Sequence, residues 1–317
     1  MSIFLTLIIT ISLFAVMLIY FRIADHYNII DHPNERSSHT EITIRGGGII
    51  YVFAGLLAVI LHTEFWLPVL GMLLIGTISF IDDRISLSNK IRFFFHLTAV
   101  TLLFIFLNIF QIFPIWMSII LYIFVIGIIN AYNFMDGING ITGVYSLVVL
   151  GGLQYVNYNI VEFIESDMIW LPILASLVFL FFNFRRKAKC FAGDVGSVTI
   201  AFWIVFLLLK LIIQTGNYTY ILFLTVYGVD AVFTIIHRLM LKENIFEAHR
   251  LHFYQILAND QNWEHIWVSS IYAVIQLVIV IIVVLVPLNF GFLFLLTTVP
   301  LALVYIYLKP KLMFKID

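Results

Sequence analysis

The sequence predicts an all-α fold, a polytopic transmembrane helical bundle of about eleven spans in a single domain over residues 1–317. Three observations predict it. Of the 317 residues 62% are hydrophobic and 11% are charged, against about 25% charged in soluble domains. Apolar runs of about 20 residues recur along the chain, long enough to cross the hydrocarbon core as helices. Acids, amides and glycines gather in the short interruptions between these runs.

The expected spans, in order, cover about 3–22, 46–63, 66–82, 92–110, 114–131, 139–155, 168–184, 197–214, 218–238, 266–287 and 289–308. The run from Ile3 to Tyr20 has no basic residue before it and no small-residue cleavage site, so it reads as a retained first helix. The longest polar segments are about 23–45 and 239–265. With these spans, every basic residue of the 17 except Lys210 falls on one side. Because Lys and Arg favour cytoplasmic loops, the N-terminus is expected outside and the C-terminus in the cytoplasm. Loops 23–45, 82–91, 131–138, 185–196 and 239–265 then share the cytoplasmic face. The net charge of −1 argues against a nucleic-acid partner. Cys190 stands alone, which excludes an internal disulfide and a cysteine metal cluster.

Those cytoplasmic loops carry the chemistry. Asp82-Asp83 closes the third run, where acids oppose the helix dipole unless Arg84, Lys90 or a metal relieves them. Asn130, Asn133, Asp136 and Asn139 are spaced by three and form a polar stripe if helical; Gly137 and Gly140 break that helix. Gly193-Asp194-Val195-Gly196-Ser197 precedes the eighth run, whose N-terminal N–H groups suit a phosphate. Carboxylates and amides are hard oxygen donors for Mg²⁺ or Mn²⁺. His249, Arg250 and His252 offer cationic and hydrogen-bonding groups for phosphate or sugar, with Arg able to bind in a fork. The first loop, from Asp31 through Arg36 and His39 to Arg45-Gly46-Gly47-Gly48, reads either as a polar turn with a flexible helix entry or as a mobile phosphate-binding flap. Asp230 lies within a span, where an unpaired acid costs roughly 2.5–3.5 kcal/mol on insertion scales; it is expected to face the bundle interior. His96 is expected to be a satisfied bundle residue. Together these features read as a membrane enzyme that handles a metal-bound polyphosphate at the membrane surface.

In their order along the chain, Asp82-Asp83, then Asn130 to Gly140, then Gly193 to Ser197, then His249 to His252, these motifs resemble the polyprenyl-phosphate N-acetylhexosamine-1-phosphate transferases of the glycosyltransferase 4 family. The resemblance runs from Arg36 to Gln255. It implies transfer of a sugar-1-phosphate from a UDP-N-acetylhexosamine to a polyprenyl phosphate such as undecaprenyl phosphate. UMP is released, Mg²⁺ is the cofactor and the site faces the cytoplasm of a bacterial inner membrane. By the same resemblance Asp82 and Asp83 are catalytic acids near the lipid phosphate, and Asp194 and Asn133 bind the metal. Asp136 and Asn139 lie beside the nucleotide, while Lys90, His249, Arg250 and His252 contact phosphate or sugar. Many bacterial relatives have Asp where this chain has Asn139, so no acid–base role is assigned there. The implied product initiates a lipid-linked surface glycan, and a homodimer is the expected assembly. The competing classes are a transporter built on Asp230 and Lys210 and a lipid-phosphate hydrolase. Against the transporter, the acids cluster at one interface and no internal repeat is evident.

Overall fold

A computed structural model describes residues 2–31, 42–244 and 250–313. Helix dominates, at 79%. In chain order the helices are α1 (Ile3–His26), α2 (Ile49–Leu61), α3 (Trp66–Arg84), α4 (Asn89–Phe106), α5 (Ile109–Ile112), α6 (Ile115–Phe134), α7 (Ile141–Asn159), α8 (Asp167–Asn183), α9 (Gly193–Thr215), α10 (Thr225–Met240), α11 (Phe253–Gln255), α12 (His265–Leu285) and α13 (Phe290–Met313). A 3₁₀ segment, Tyr218–Leu224, runs directly into α10. Each expected span coincides with a helix. Among the described residues, eight helical stretches are long and apolar enough to cross a membrane; Ile49–Leu61 and Asp167–Asn183 are shorter apolar helices.

Local chemistry sets the helix ends. Ser2 and Ser88 accept from the backbone N–H groups of Leu5 and Ile91, at 3.2 and 3.4 Å, and so cap α1 and α4. The Ser88 cap is why α4 begins at Asn89 and not near residue 92 as expected. Gly46 takes φ +78°, which ends the extended approach, and α2 starts only at Ile49. Gly216 closes α9 in the left-handed region.

Helix α9 is the bundle's centre and packs against α2, α3, α6 and α7. It is mostly buried and predominantly apolar, as a helix surrounded by others must be. Helices α1, α6 and α13 lie at the periphery and turn large apolar side chains outward, among them Phe4, Ile123 and Phe292. Exposed apolar surface of this extent fits a lipid environment. Below the polar loops, Tyr132, Tyr145 and Tyr227 pack together; the last two stack at 3.6 Å with rings 5° apart.

The polar connection after α1 contains an antiparallel pair, β1 (Ile30–Asp31) and β2 (Thr43–Ile44), with Ile30 opposite Ile44 and Asp31 opposite Thr43. Ile44 also bridges to Cys190. Residues 45–48 are consequently docked on the segment before α9. Gly47 N–H donates to the Phe191 carbonyl at 2.8 Å, Gly48 N–H to Ala192 at 3.0 Å, and Phe191 N–H to Ile44 at 2.8 Å. This part of the expected mobile flap is a fixed element, held by backbone hydrogen bonds. Asn34, Arg36 and His39 lie outside the described residues.

Candidate active site

The end of α3, the segment around Arg45, the end of α6 and the start of α9 meet in one cluster. Asp83 is its centre, with a side chain that has no exposed surface. Its Oδ1 accepts from Arg45 Nε at 2.7 Å and from Asp194 N–H at 3.1 Å, and its Oδ2 accepts from Val195 N–H at 3.2 Å. A carboxylate thus caps the positive end of α9 from another helix. Gly193 permits the approach: it takes φ +68°, and a Cβ there would lie 2.6 Å from Asp83 Oδ2. Asp83 was expected beside a lipid phosphate. Enclosed and saturated with donors, it instead orients the helix that carries Asp194.

Asp82 divides its two oxygens. Leu87 N–H donates to Oδ1 at 2.7 Å and Arg92 Nη1 to Oδ2 at 3.1 Å. The cation beside the acidic pair is therefore Arg92, one helical turn into α4. Lys90 is exposed on the same turn, and Arg84 reaches back to the Tyr27 carbonyl at 3.5 Å. The expected partners Lys90 and Arg84 give way to Arg92 because its side chain points back along α4 toward Asp82.

Arg45 gathers three acids. Besides Asp83 it lies 3.8 Å from Asp194 and 3.9 Å from Asp31. Burial weakens its charge, but Asp83, Asp194 and Asp31 outweigh that and raise its pKa above the ordinary value. Asp194 keeps a side chain about a quarter exposed (25%), whereas that of Asp83 is fully enclosed, so of the two acids at the α9 entry Asp194 is the one open to a ligand. Asn133, on the last turn of α6, accepts from Ser197 Oγ at 2.7 Å through Oδ1. The structure thus brings Asn133 and the start of α9 together, through a hydroxyl.

Asp136 follows in the loop after α6. Burial pushes its carboxyl up to about 6, partly offset by Thr142 Oγ1, which donates to Oδ1 at 2.6 Å. Asn139 is turned inward and is 5% exposed. Its Nδ2 donates to the carbonyls of Arg185 and Arg186 at 2.8 and 3.2 Å. Its amide donors are thus engaged by the segment that leads into α9.

The last polar segment enters the cluster differently from expectation. His252 is buried at 2% exposure, with Nδ1 3.3 Å from Asp230 Oδ1. Asp230 also accepts from Phe253 N–H at 2.9 Å, Tyr254 N–H at 3.4 Å and Tyr272 Oη at 2.6 Å. An acid within the membrane needs such donors, and His252 Nδ1 is placed against Asp230. Tyr254 Oη in turn donates to the Phe134 carbonyl at 2.9 Å, between Asn133 and Met135. Arg250 is partly buried and acts electrostatically on Asp260. His249 lies outside the described residues. His96 is buried, as expected. Arg92 and Tyr254 carried no distinguishing sequence signal; Arg45 did, as the one cation adjoining three glycines.

Among the described residues, no group of three or more His, Cys, Asp or Glu could by itself hold a metal ion. That does not disfavour Mg²⁺, which binds one or two carboxylates and fills its shell with water and substrate phosphate. Asp194 offers an open carboxylate, and the Asn133 amide oxygen lies across Ser197 from the same helix start. The donor set is hard oxygen throughout and fits this ion.

Residues 65–212 match the family described as Glycosyl transferase family 4. The matched stretch is just under half of the chain. The matched region contains Asp82, Asp83, Asn133, Asp136, Asn139 and Asp194, and it ends before Asp230 and His252. The chain is 26% identical over 256 residues to a probable undecaprenyl-phosphate N-acetylglucosaminyl 1-phosphate transferase of Bacillus subtilis (strain 168), covering 74% of this chain and 71% of that protein. It is 27% identical over 231 residues to an undecaprenyl-phosphate alpha-N-acetylglucosaminyl 1-phosphate transferase of Escherichia coli O157:H7, covering 64% of this chain and 61% of that protein. A protein of the same description from Salmonella typhi is 26% identical over 226 residues, with 64% and 61% covered.

Proposed function

We propose that this chain is a member of glycosyl transferase family 4 and transfers N-acetylhexosamine-1-phosphate from a UDP-sugar to a polyprenyl phosphate, with release of UMP, at the cytoplasmic face of a bacterial inner membrane. The observation that carries the reading is the Asp83–Arg45–Asp194 cluster at the entry of α9, next to Asn133 and Asp136. It concentrates acids and one shared cation at the end of an apolar bundle, where a lipid phosphate and a soluble nucleotide can meet.

In this reading a phosphate oxygen of the lipid attacks the sugar-side phosphorus of the diphosphate. The new P–O bond forms as the bond to the bridging oxygen breaks, and that oxygen leaves with UMP. Phosphoryl transfer needs mainly positioning and charge neutralisation. Mg²⁺ held by Asp194 and Asn133 would supply charge neutralisation at the diphosphate. Asp82 and Arg92 border the lipid-phosphate side, and a phosphate dianion needs no protein base. Asp83 fixes the α9 entry, and Asp136 lies toward the nucleotide. Arg250 remains the proposed cation for phosphate or sugar.

The test is UMP release by purified protein with polyprenyl phosphate, Mg²⁺ and a panel of UDP-N-acetylhexosamines. Release that requires both the lipid acceptor and one UDP-sugar is the expected result. Release without the acceptor would make the protein a hydrolase, and no release with any UDP-sugar would overturn the reading.

A further inference from the structure

We propose that Lys309 and Tyr305 of α13 are positioning residues for the transfer reaction: through Thr234 they orient Asp230, and so hold residues 251–254, which follow Arg250, against α10. The inference rests on the transferase reading above and deepens it.

The starting observation is a buried cation near the end of a peripheral helix. Lysines at such ends ordinarily reach for water. Tyr307, Leu308 and Lys311 are exposed, whereas Lys309 is 2% exposed. A charge so enclosed needs partners. Its ammonium donates to Tyr305 Oη, one turn back on α13, and Asp230 is the acid that acts on it electrostatically.

Proton counting gives this network a direction. An ammonium only donates, and a hydroxyl has one proton to give. Tyr305 Oη accepts from Lys309, so its own proton goes to Thr234 Oγ1 at 2.5 Å. Thr234 in turn points its proton toward Asp230 Oδ1 at 3.3 Å and the Leu251 carbonyl at 3.4 Å. Lys309, Tyr305, Thr234 and Asp230 are all buried. The chain thus runs from a cation to a carboxylate, and each donor is ordered by the one before it. Asp230 accepts from Phe253 N–H at 2.9 Å and Tyr254 N–H at 3.4 Å. Thr234 and Asp230, one turn apart on α10, therefore grip the backbone on both sides of His252. Gln261 Nε2 donates to the Leu312 carbonyl at 2.8 Å, so α13 braces the far end of the same polar segment. Arg250 adjoins Leu251, and slack in the chain alters where its guanidinium is held.

Steady-state UMP release, varying each substrate separately, and hydrogen–deuterium exchange on the full chain in detergent test this. The variants are Lys309→Met, Tyr305→Phe, Thr234→Val, Asp230→Asn and the double variant Lys309→Met with Asp230→Asn. In Lys309→Met and Tyr305→Phe, kcat/KM for the UDP-sugar should fall about tenfold. KM for polyprenyl phosphate should stay within about twofold, and exchange should rise at 251–255. Because Lys309 and Asp230 act as one unit, the double variant should lose much less than the product of the two single losses. If α13 merely packs, the losses are independent; losses that multiply therefore overturn the proposal, as do parent-like kcat/KM and exchange in Lys309→Met and Tyr305→Phe. If Lys309→Met fails to fold, Tyr305→Phe and Thr234→Val decide by kcat/KM and by exchange at 251–255. If the parent releases no UMP with any UDP-sugar, the reaction assignment fails and exchange at 251–255 alone decides whether α13 holds this segment.

Discussion

Arg45 Nε donates to Asp83 Oδ1 at 2.7 Å across 38 positions of sequence. The same guanidinium lies within 4 Å of Asp194, so one cation separates two acids that would otherwise repel. Arg45→Ala should leave Asp83 buried without its counter-charge. A charge-assisted hydrogen bond contributes about 1.5–3 kcal/mol, so lower thermal stability in detergent and a large loss of turnover are expected together. Arg45→Lys should recover part of the stability but little of the activity, because an ammonium cannot span the acids as a fork does. Melting curves and UMP release on both variants check this.

Asp194→Asn should separate folding from activity. The Asp194 backbone N–H holds Asp83, whereas among the described residues its side chain makes a long contact with Arg45. Stability should change little while turnover drops by about a hundredfold or more, the scale of losing a preorganised charge at a reacting centre. Near-normal turnover with unchanged Mg²⁺ dependence would remove Asp194 from the metal site. Asp83→Asn should behave oppositely in stability, losing about 0.5–2 kcal/mol with its cap.

Asp136 predicts a pH limb. Its carboxyl is pushed up to about 6 by burial, so a step that needs it ionised should weaken as pH falls through that value. Thr142 stabilises the charged form; Thr142→Val should raise the pKa and move the limb to higher pH. The stability linkage has the opposite sense. A raised folded pKa gives a contribution fully present below the unfolded value of 3.8 and lost as pH rises through about 6. Asp136→Asn should therefore be inactive yet more stable near pH 7.5, by up to about 3 kcal/mol. A pH–rate profile and melting curves across pH 5–8 test both signs.

Asp230→Asn should loosen residues 251–254 without touching the acidic cluster directly. Asp230 takes Phe253 N–H, Tyr254 N–H, Tyr272 Oη and His252 as partners. Faster amide exchange at 252–255 is expected, with a smaller loss of activity than in Asp194→Asn. Tyr272→Phe removes one of these donors and should cost about 1 kcal/mol. Unchanged exchange in both variants would mean that the segment is held elsewhere.

The orientation has its own test. For single cysteines, Asn159 is the last residue of α7 and Asn262 follows α11, and α8, α9 and α10 lie between them. Membrane-impermeant labelling of intact cells should reach position 159 and spare position 262. The reverse pattern would invert the proposed topology.

Much of this was legible in the sequence for direct reasons. Apolar runs of bilayer length must be helical because no water satisfies their backbone, and every expected span met a helix. The acids and amides between those runs did converge: Asp82, Asp83, Asn133 and Asp194 belong to one cluster. What escaped was direction. Periodicity placed Asn139 on a polar stripe, yet its amide turned inward to two carbonyls contributed by a loop 46 positions away. A run of His, Arg and His suggested a basic substrate loop, but His252 went to Asp230, the one acid that the membrane could not leave unsatisfied. Pairings of this kind depend on which donor tertiary packing delivers, and neither spacing nor composition encodes that.

Gly48 and Gly196 press their backbones together so closely that a Cβ on Gly48 would lie 2.1 Å from the Gly196 Cα. Rotatable side chains form a compliant joint, whereas two bare backbones in contact form a hard stop. Arg45 and Asp194 sit on either side of that stop, three and two positions away. Their separation should therefore resist changes in bilayer thickness or lateral pressure that tilt the outer helices, letting the same catalytic spacing persist across membranes of different lipid composition.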